Sequence, residues 1–273
     1  MSLQKSALEL LKETSRTFYI PISRLPAGLQ AAVTSGYLCM RAIDEIEDHP
    51  TLDNAIKASL LREISVTLQG GRDLFTASDF AAVFQGYQAE LPEVSLRLAE
   101  WASLAPTTIA PRIWESTAAM ADRMAYWADR NWAITTETDL DRYTFSVAGS
   151  VGLLLCDLWD WHDSTKTDRT LAIGFGRGLQ AVNIIRNHSE DQTRGVTFMP
   201  TGWTMAELHQ YAQRNLRLAE AYNVALLPGP AREFCQIPLA LAQATLMAIM
   251  HGREKLTRSQ VMAVVEQLIS AGK

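Results

Sequence analysis

Residues Tyr37 to Asp48 read YLCMRAIDEIED. A helix advances about 100° per residue, so with Asp44 at zero, Tyr37 lies about 20° away, Asp48 about 40° and Arg41 about 60°. Two carboxylates, a guanidinium and a phenol therefore share a face, with Glu47 flanking it and Glu45 pointing elsewhere. Acids stacked at i and i+4 on a solvated helix cost about 0.2–0.5 kcal/mol. Leu38, Cys39, Met40, Ala42 and Ile43 are apolar, so the sequence predicts a buried helix, and buried acids need a cation beside them. Mg2+ suits the set, because it is held by one or two carboxylates together with substrate phosphate oxygens. The other reading of the same residues is a solvated acidic helix end before His49-Pro50.

Most of the remaining chain carries the same period. Leu3 to Ser15 is a periodic helix that Pro21 is expected to end. Pro26 opens the helix bearing the acidic cluster, and Asp53 or Asn54 caps the next, which Gly70-Gly71 stops. Ser78 to Gln88 reads as helix, and Pro92 sits in the first turn of another. Pro106 and Pro111 bracket a loop. Ile113 to Trp132 is helical, with Trp114, Met120, Met124 and Trp127 on a core-facing side. Thr138 or Asp139 starts a helix to Trp161, and Arg169 to about Asn187 forms another. Gln192 to Trp203 reads as loop. Thr204–Glu207 and Thr257–Gln260 have capping-box form, and Pro238 is expected to kink the second of the two helices they bracket. No alternating pattern persists, and Gly174-Phe-Gly-Arg-Gly178 follows no strand, so a dinucleotide fingerprint is rejected. The fold expected is all-α, a single-domain helical bundle over residues 1–273 with its site between helices.

Composition narrows the function. The 273 residues are 48% hydrophobic and 20% charged, ordinary values for a globular protein. A net charge of −5 argues against a nucleic-acid partner, yet not against an anionic substrate held through metal ions. Cys39, Cys156 and Cys235 lie in apolar segments without pair spacing and read as reduced core residues of a cytoplasmic protein. The N-terminus lacks the form of a secretory signal, and no transmembrane helix is expected. The longest apolar run, Ile237 to Met250, is interrupted by Pro238, Gln243 and Thr245. The residues set no oligomeric state.

A second polar face lies at Gln180 to Arg194, QAVNIIRNHSEDQTR. With Asn183 at zero, Glu190 falls about −20° away, Asn187 about 40°, Gln180 about 60°, Arg186 about −60° and Asp191 about 80°. Set against the first cluster across a cavity, it would complete a site for several Mg2+ ions, with Arg41, Arg186 and Arg194 on phosphate oxygens. Between the clusters, Tyr143 and Ser146-Val-Ala-Gly149-Ser-Val-Gly152 place glycines inside a predicted helix. They serve either close helix packing or room for a bulky apolar chain.

These pieces together resemble the squalene/phytoene synthases over nearly the whole length. They are Ser15-Arg-Thr-Phe18, Tyr37 to Asp48, Tyr143 with Val147-Ala-Gly149-Ser-Val-Gly152, and Gln180-Ala-Val-Asn183-Ile-Ile-Arg186 followed by Glu190-Asp191 and Arg194-Gly195. The resemblance implies an all-α isoprenoid synthase fold with a central cavity and head-to-head joining of two prenyl diphosphates. It implies that Asp44 and Asp48 bind Mg2+ and that Asp191 belongs to a second metal motif. Ser15, Thr17, Arg41, Gln180, Asn183 and Arg186 would contact diphosphate or its metals, and Tyr37 and Tyr143 would line the cation site. One position departs from the pattern: Asn187 stands where the second motif opens with Asp, which weakens one metal site, and Glu190 is placed to compensate. Condensation of two farnesyl diphosphates to a C30 squalene-type or dehydrosqualene-type product leads. Farnesyl diphosphate hydrolysis to farnesol and a non-catalytic interaction role are the alternatives. Use of NADPH and a C30 or C40 product stay open; the soluble ends lead us to expect at most peripheral membrane contact, although an apolar product must leave into lipid.

Overall fold

The computed structural model describes residues 2–70, 76–193, 195–253 and 255–271. Among these there is no strand, and the chain forms two compact units. One takes Met1–Trp132 and Asp157–Ser164; the other takes Ala133–Cys156 and Thr165–Lys273.

The first unit is built on helix α3, Ala27–Glu47, whose buried residues include Leu29, Ala32, Val33, Leu38, Cys39, Ile43 and Ile46. Helices α6 (Glu93–Leu96), α7 (Leu98–Ser103) and α8 (Ala110–Asp129) pack on it, and α4 (Asn54–Gln69) lies along α8. Three buried hydroxyls tie these helices together by donating to carbonyl groups: Ser35 to Trp101 at 2.7 Å, Ser65 to Ala118 at 2.8 Å and Ser95 to Ala42 at 2.7 Å. Each satisfies a polar group that burial would otherwise penalise. Trp114, Met120, Met124 and Trp127 all face the core, as the sequence predicts.

Two prolines behave differently from expectation. The chain breaks at Ser15, whose extended backbone ends α1 (Leu3–Thr14) and whose hydroxyl caps α2 (Arg16–Ser23) by accepting from Phe18 N–H at 3.2 Å. Pro21 therefore lies inside α2 rather than ending a helix. Pro111 sits in the first turn of α8, where its missing N–H costs nothing, so the helix starts earlier than predicted. Helix α5, Ala77–Val83, is shorter than the predicted span.

In the second unit α9 (Glu137–Thr144) is capped by Thr136, earlier than predicted, in a reciprocal box with Asp139. It runs through a π turn, Phe145–Gly149, into α10, Ser150–Asp163. Helix α11, Arg169–Thr193, outlasts the predicted end at Asn187 and packs on α12, Met205–Ala225. The glycines serve this packing. A Cβ at Gly152 would lie 2.2 Å from the Ala172 carbonyl oxygen, and one at Gly176 would lie 2.2 Å from that of Ala148. Of the two readings of the glycine stretch, close helix contact is the one Gly152 meets. Thr204–Glu207 and Thr257–Gln260 form the predicted capping interactions.

Helix α13, Pro230–Met250, is long and apolar enough by composition to cross a membrane. It packs on α11, α12 and α14 (Arg258–Ala271), and half of its apolar window is buried there. That placement makes it a core helix of this unit. All three cysteines are unpaired and buried.

Candidate active site

In the first unit the end of α3 gathers the predicted residues. Arg41 reaches Asp44 at 2.7 Å and also pairs with Glu45, which sequence spacing had pointed elsewhere. The Arg41 Nε is buried without a hydrogen-bond partner. The Asp44 side chain keeps about a third of its surface open, at 32%. Burial, then the adjacent Asp48, raises its carboxyl to about 7, against the opposite pull of Arg41. Asp48 caps α3, donating its N–H to the Asp44 carbonyl at 2.8 Å.

Tyr37 lies about two turns before Asp44, with its ring 5.8 Å from that of Phe18. Burial raises its hydroxyl pKa, while hydrogen bonding to Ser15 and the charge of Arg41 work the other way. Ser15, Tyr37, Arg41 and Asp44 therefore belong to one neighbourhood. Thr17 is half-buried on α2. Glu47 turns away from this group into the core, where it accepts a hydrogen bond from the Trp132 indole N–H at 2.7 Å. Nothing local in the sequence signals that bond, because 85 residues separate its partners.

In the second unit Asn183, Asn187 and Arg186 form a small polar group on α11. Arg186 donates to Asn183 and, at 3.2 Å, to Asn187. Asn187 donates to Asn183 at 3.4 Å. Gln180 is half-buried, Asp191 is buried, and Glu190 is exposed and paired with Lys255 at 2.6 Å. Arg194, a candidate phosphate contact, lies outside the described residues. Tyr143 is buried on α9 and stacks on Phe198 with ring centres 4.6 Å apart. No spacing pattern points to Phe198, which comes from the loop after α11.

Among the described residues, no group of three or more His, Cys, Asp or Glu side chains comes together as a metal cluster. The Asp44–Asp48 pair still fits Mg2+, which needs only one or two carboxylates when phosphate supplies the remaining oxygens. Its donors are hard oxygens, and one helical turn relates the two residues.

Comparison with known proteins places the chain by family and by fold. The family model for squalene/phytoene synthase matches residues 11–208. The chain belongs to the squalene/phytoene synthase family. It is 30% identical to a squalene synthase of Eremothecium gossypii over 94% of its own length and 64% of that protein's. The chain thus spans just under two thirds of this longer relative. By structure it is similar to TcSQS in complex with the ligand E5700, with a TM-score of 0.76 at 20% identity, covering 99% of this chain and 90% of that one. It is also similar to a dehydrosqualene synthase in complex with ligand, with a TM-score of 0.62 at 16% identity and coverage of 98% and 96%. The fold is the all-α isoprenoid synthase fold.

Proposed function

We propose that this chain is an Mg2+-dependent enzyme that joins two farnesyl diphosphates head to head, giving a C30 product of squalene or dehydrosqualene type. The observation that carries the proposal is the Asp44–Asp48 pair beside Arg41 at the end of α3. Asp44 and Asp48 would hold the metal, which when bound supplies the positive charge that lets diphosphate leave. Arg41, now shared between Asp44 and Glu45, would turn to the phosphate oxygens. In the first unit Ser15 and Thr17, and in the second Gln180, Asn183, Arg186 and Arg194, would contact diphosphate oxygens. Tyr37 in the first unit, and the stacked pair Tyr143–Phe198 in the second, are aromatic faces suited to an allylic cation.

Asn187 and Asp191 would serve the second metal set, and Glu190 joins it only by leaving Lys255. The chain would work as one isoprenoid synthase domain, since the family match runs through residues of both units. Peripheral membrane contact is supported by Val224 and Leu227, each 78% exposed around the α12–α13 connection. The protein would be cytoplasmic, with a prenyl diphosphate as its partner and no nucleic acid.

Incubating the purified protein with farnesyl diphosphate and Mg2+, with and without NADPH, tests the proposal. A C30 hydrocarbon with NADPH identifies a squalene-forming enzyme, and one without it a dehydrosqualene-forming enzyme. Farnesol as the sole product, or no turnover, overturns the proposal.

A further inference from the structure

Helix α8 ends at Asp129, and the next residues leave it by an unusual path. Asn131 and Trp132 are consecutive non-glycine residues in the left-handed region, at φ 50 and φ 48. Asn enters that region readily, but a bulky residue such as Trp132 does so at a cost that surrounding contacts must offset. The contacts here are explicit. Asn131 N–H donates to the Ala128 carbonyl at 3.0 Å, and Trp132 N–H donates to that of Trp127 at 2.9 Å. Asn54 at the start of α4 donates its side-chain amide to the Asn131 side chain at 2.7 Å. The turn delivers the Trp132 indole N–H to Glu47 at 2.7 Å, and Lys57 lies over the indole ring, 5.2 Å from its centre.

Glu47 is 4% exposed and is the last residue of α3. The next residue is Asp48, and Asp44 lies less than a turn earlier. The Glu47 side chain, fixed in the core, therefore anchors the turn from which both candidate ligands project. We propose that Glu47 and Trp132 are positioning residues, which hold the end of α3 so that the Asp44 and Asp48 carboxylates converge on one metal ion. The proposal rests on the metal-binding reading of Asp44 and Asp48. It assigns Glu47 no contact with the metal. What Glu47 supplies is a hydrogen-bond acceptor of the right length, and glutamine can supply that as well.

The test is the affinity for Mn2+, an EPR-visible substitute for Mg2+, measured with pyrophosphate present in the wild type, Trp132→Phe, Glu47→Gln and Glu47→Leu. Trp132→Phe keeps the ring and loses the donor; Glu47→Leu keeps the size and loses the acceptor. Both are expected to bind Mn2+ about five- to tenfold more weakly, with helical content unchanged by circular dichroism, and Glu47→Gln is expected to bind within about twofold of wild type. Should Trp132→Phe not fold, the contrast between Gln and Leu at position 47 decides the matter. Loss of Mn2+ in Glu47→Gln as large as in Glu47→Leu would make the charge, not the bond, the active feature and overturn the proposal. Wild-type affinity in Trp132→Phe or Glu47→Leu would overturn it while leaving the metal site intact. A wild-type protein that binds no Mn2+ would end both readings.

Discussion

Replacing Asp44 by Asn should make the metal-free protein more stable while removing its ability to bind metal. The Asp44 carboxyl lies at about 7, against 3.8 when free. A shift of roughly three units, at about 1.4 kcal/mol each, sets a ceiling near 4 kcal/mol for holding the charged form in the fold. A third of the side chain is open to water, and Arg41 keeps Glu45 as a partner in the variant, so the expected gain is about 1–3 kcal/mol. The sign follows from linkage. A carboxyl whose folded pKa is raised contributes its full stability below the unfolded value of 3.8 and loses it as pH rises through about 7. Thermal unfolding with EDTA should therefore show Asp44→Asn melting about 2–6 °C above wild type at pH 8, with the difference shrinking as pH falls toward 4. Adding Mg2+ and pyrophosphate should stabilise only the wild type. A variant that melts lower than wild type at pH 8, or an equal gain at pH 5 and pH 8, would refute the reasoning.

The other predictions concern separate parts of the molecule. Asn187→Asp places a carboxylate beside Asn183 and Arg186, so the Mg2+ concentration giving half-maximal turnover should fall about tenfold in a metal titration. Gly176→Ala would set a Cβ 2.2 Å from the Ala148 carbonyl oxygen; a loss of about 3 kcal/mol or failure to accumulate soluble protein is expected, read by chemical denaturation. Hydrogen bonds from Thr135 and then Thr136 hold the Asp139 carboxyl down to about 2. That stabilisation is present above the unfolded carboxylate value and lost as pH falls through about 2. Thr136→Ala should cost about 1 kcal/mol near neutral pH, and the difference from wild type should narrow in acid unfolding curves.

Much of the architecture could be read from apolar spacing. Helix α3 announced itself by Leu38, Cys39, Met40, Ala42 and Ile43, and the capping boxes at Thr204 and Thr257 marked helix starts through local chemistry. The candidate ligands Asp44 and Asp48 were legible for the same reason, since one helical turn relates them. What escaped was non-local or backbone-driven. The π turn at Phe145–Gly149 has the composition of ordinary helix and differs only in its hydrogen bonding. Ser15 broke the first helix because its hydroxyl could cap a new one, which moved the interruption ahead of Pro21. Glu47 looked like one more acid on a charged helix end. Only the strained turn after α8, a long way along the chain, turns it into a buried anchor.

The most direct measurement is calorimetric binding of farnesyl thiodiphosphate, a slowly ionising analogue, with and without Mg2+, to wild type and to the double variant Asp44→Asn/Asp48→Asn. Tight binding that requires Mg2+ in the wild type and disappears in the double variant is the predicted result. Equal binding by both proteins, or binding indifferent to Mg2+, would contradict the assignment of this site.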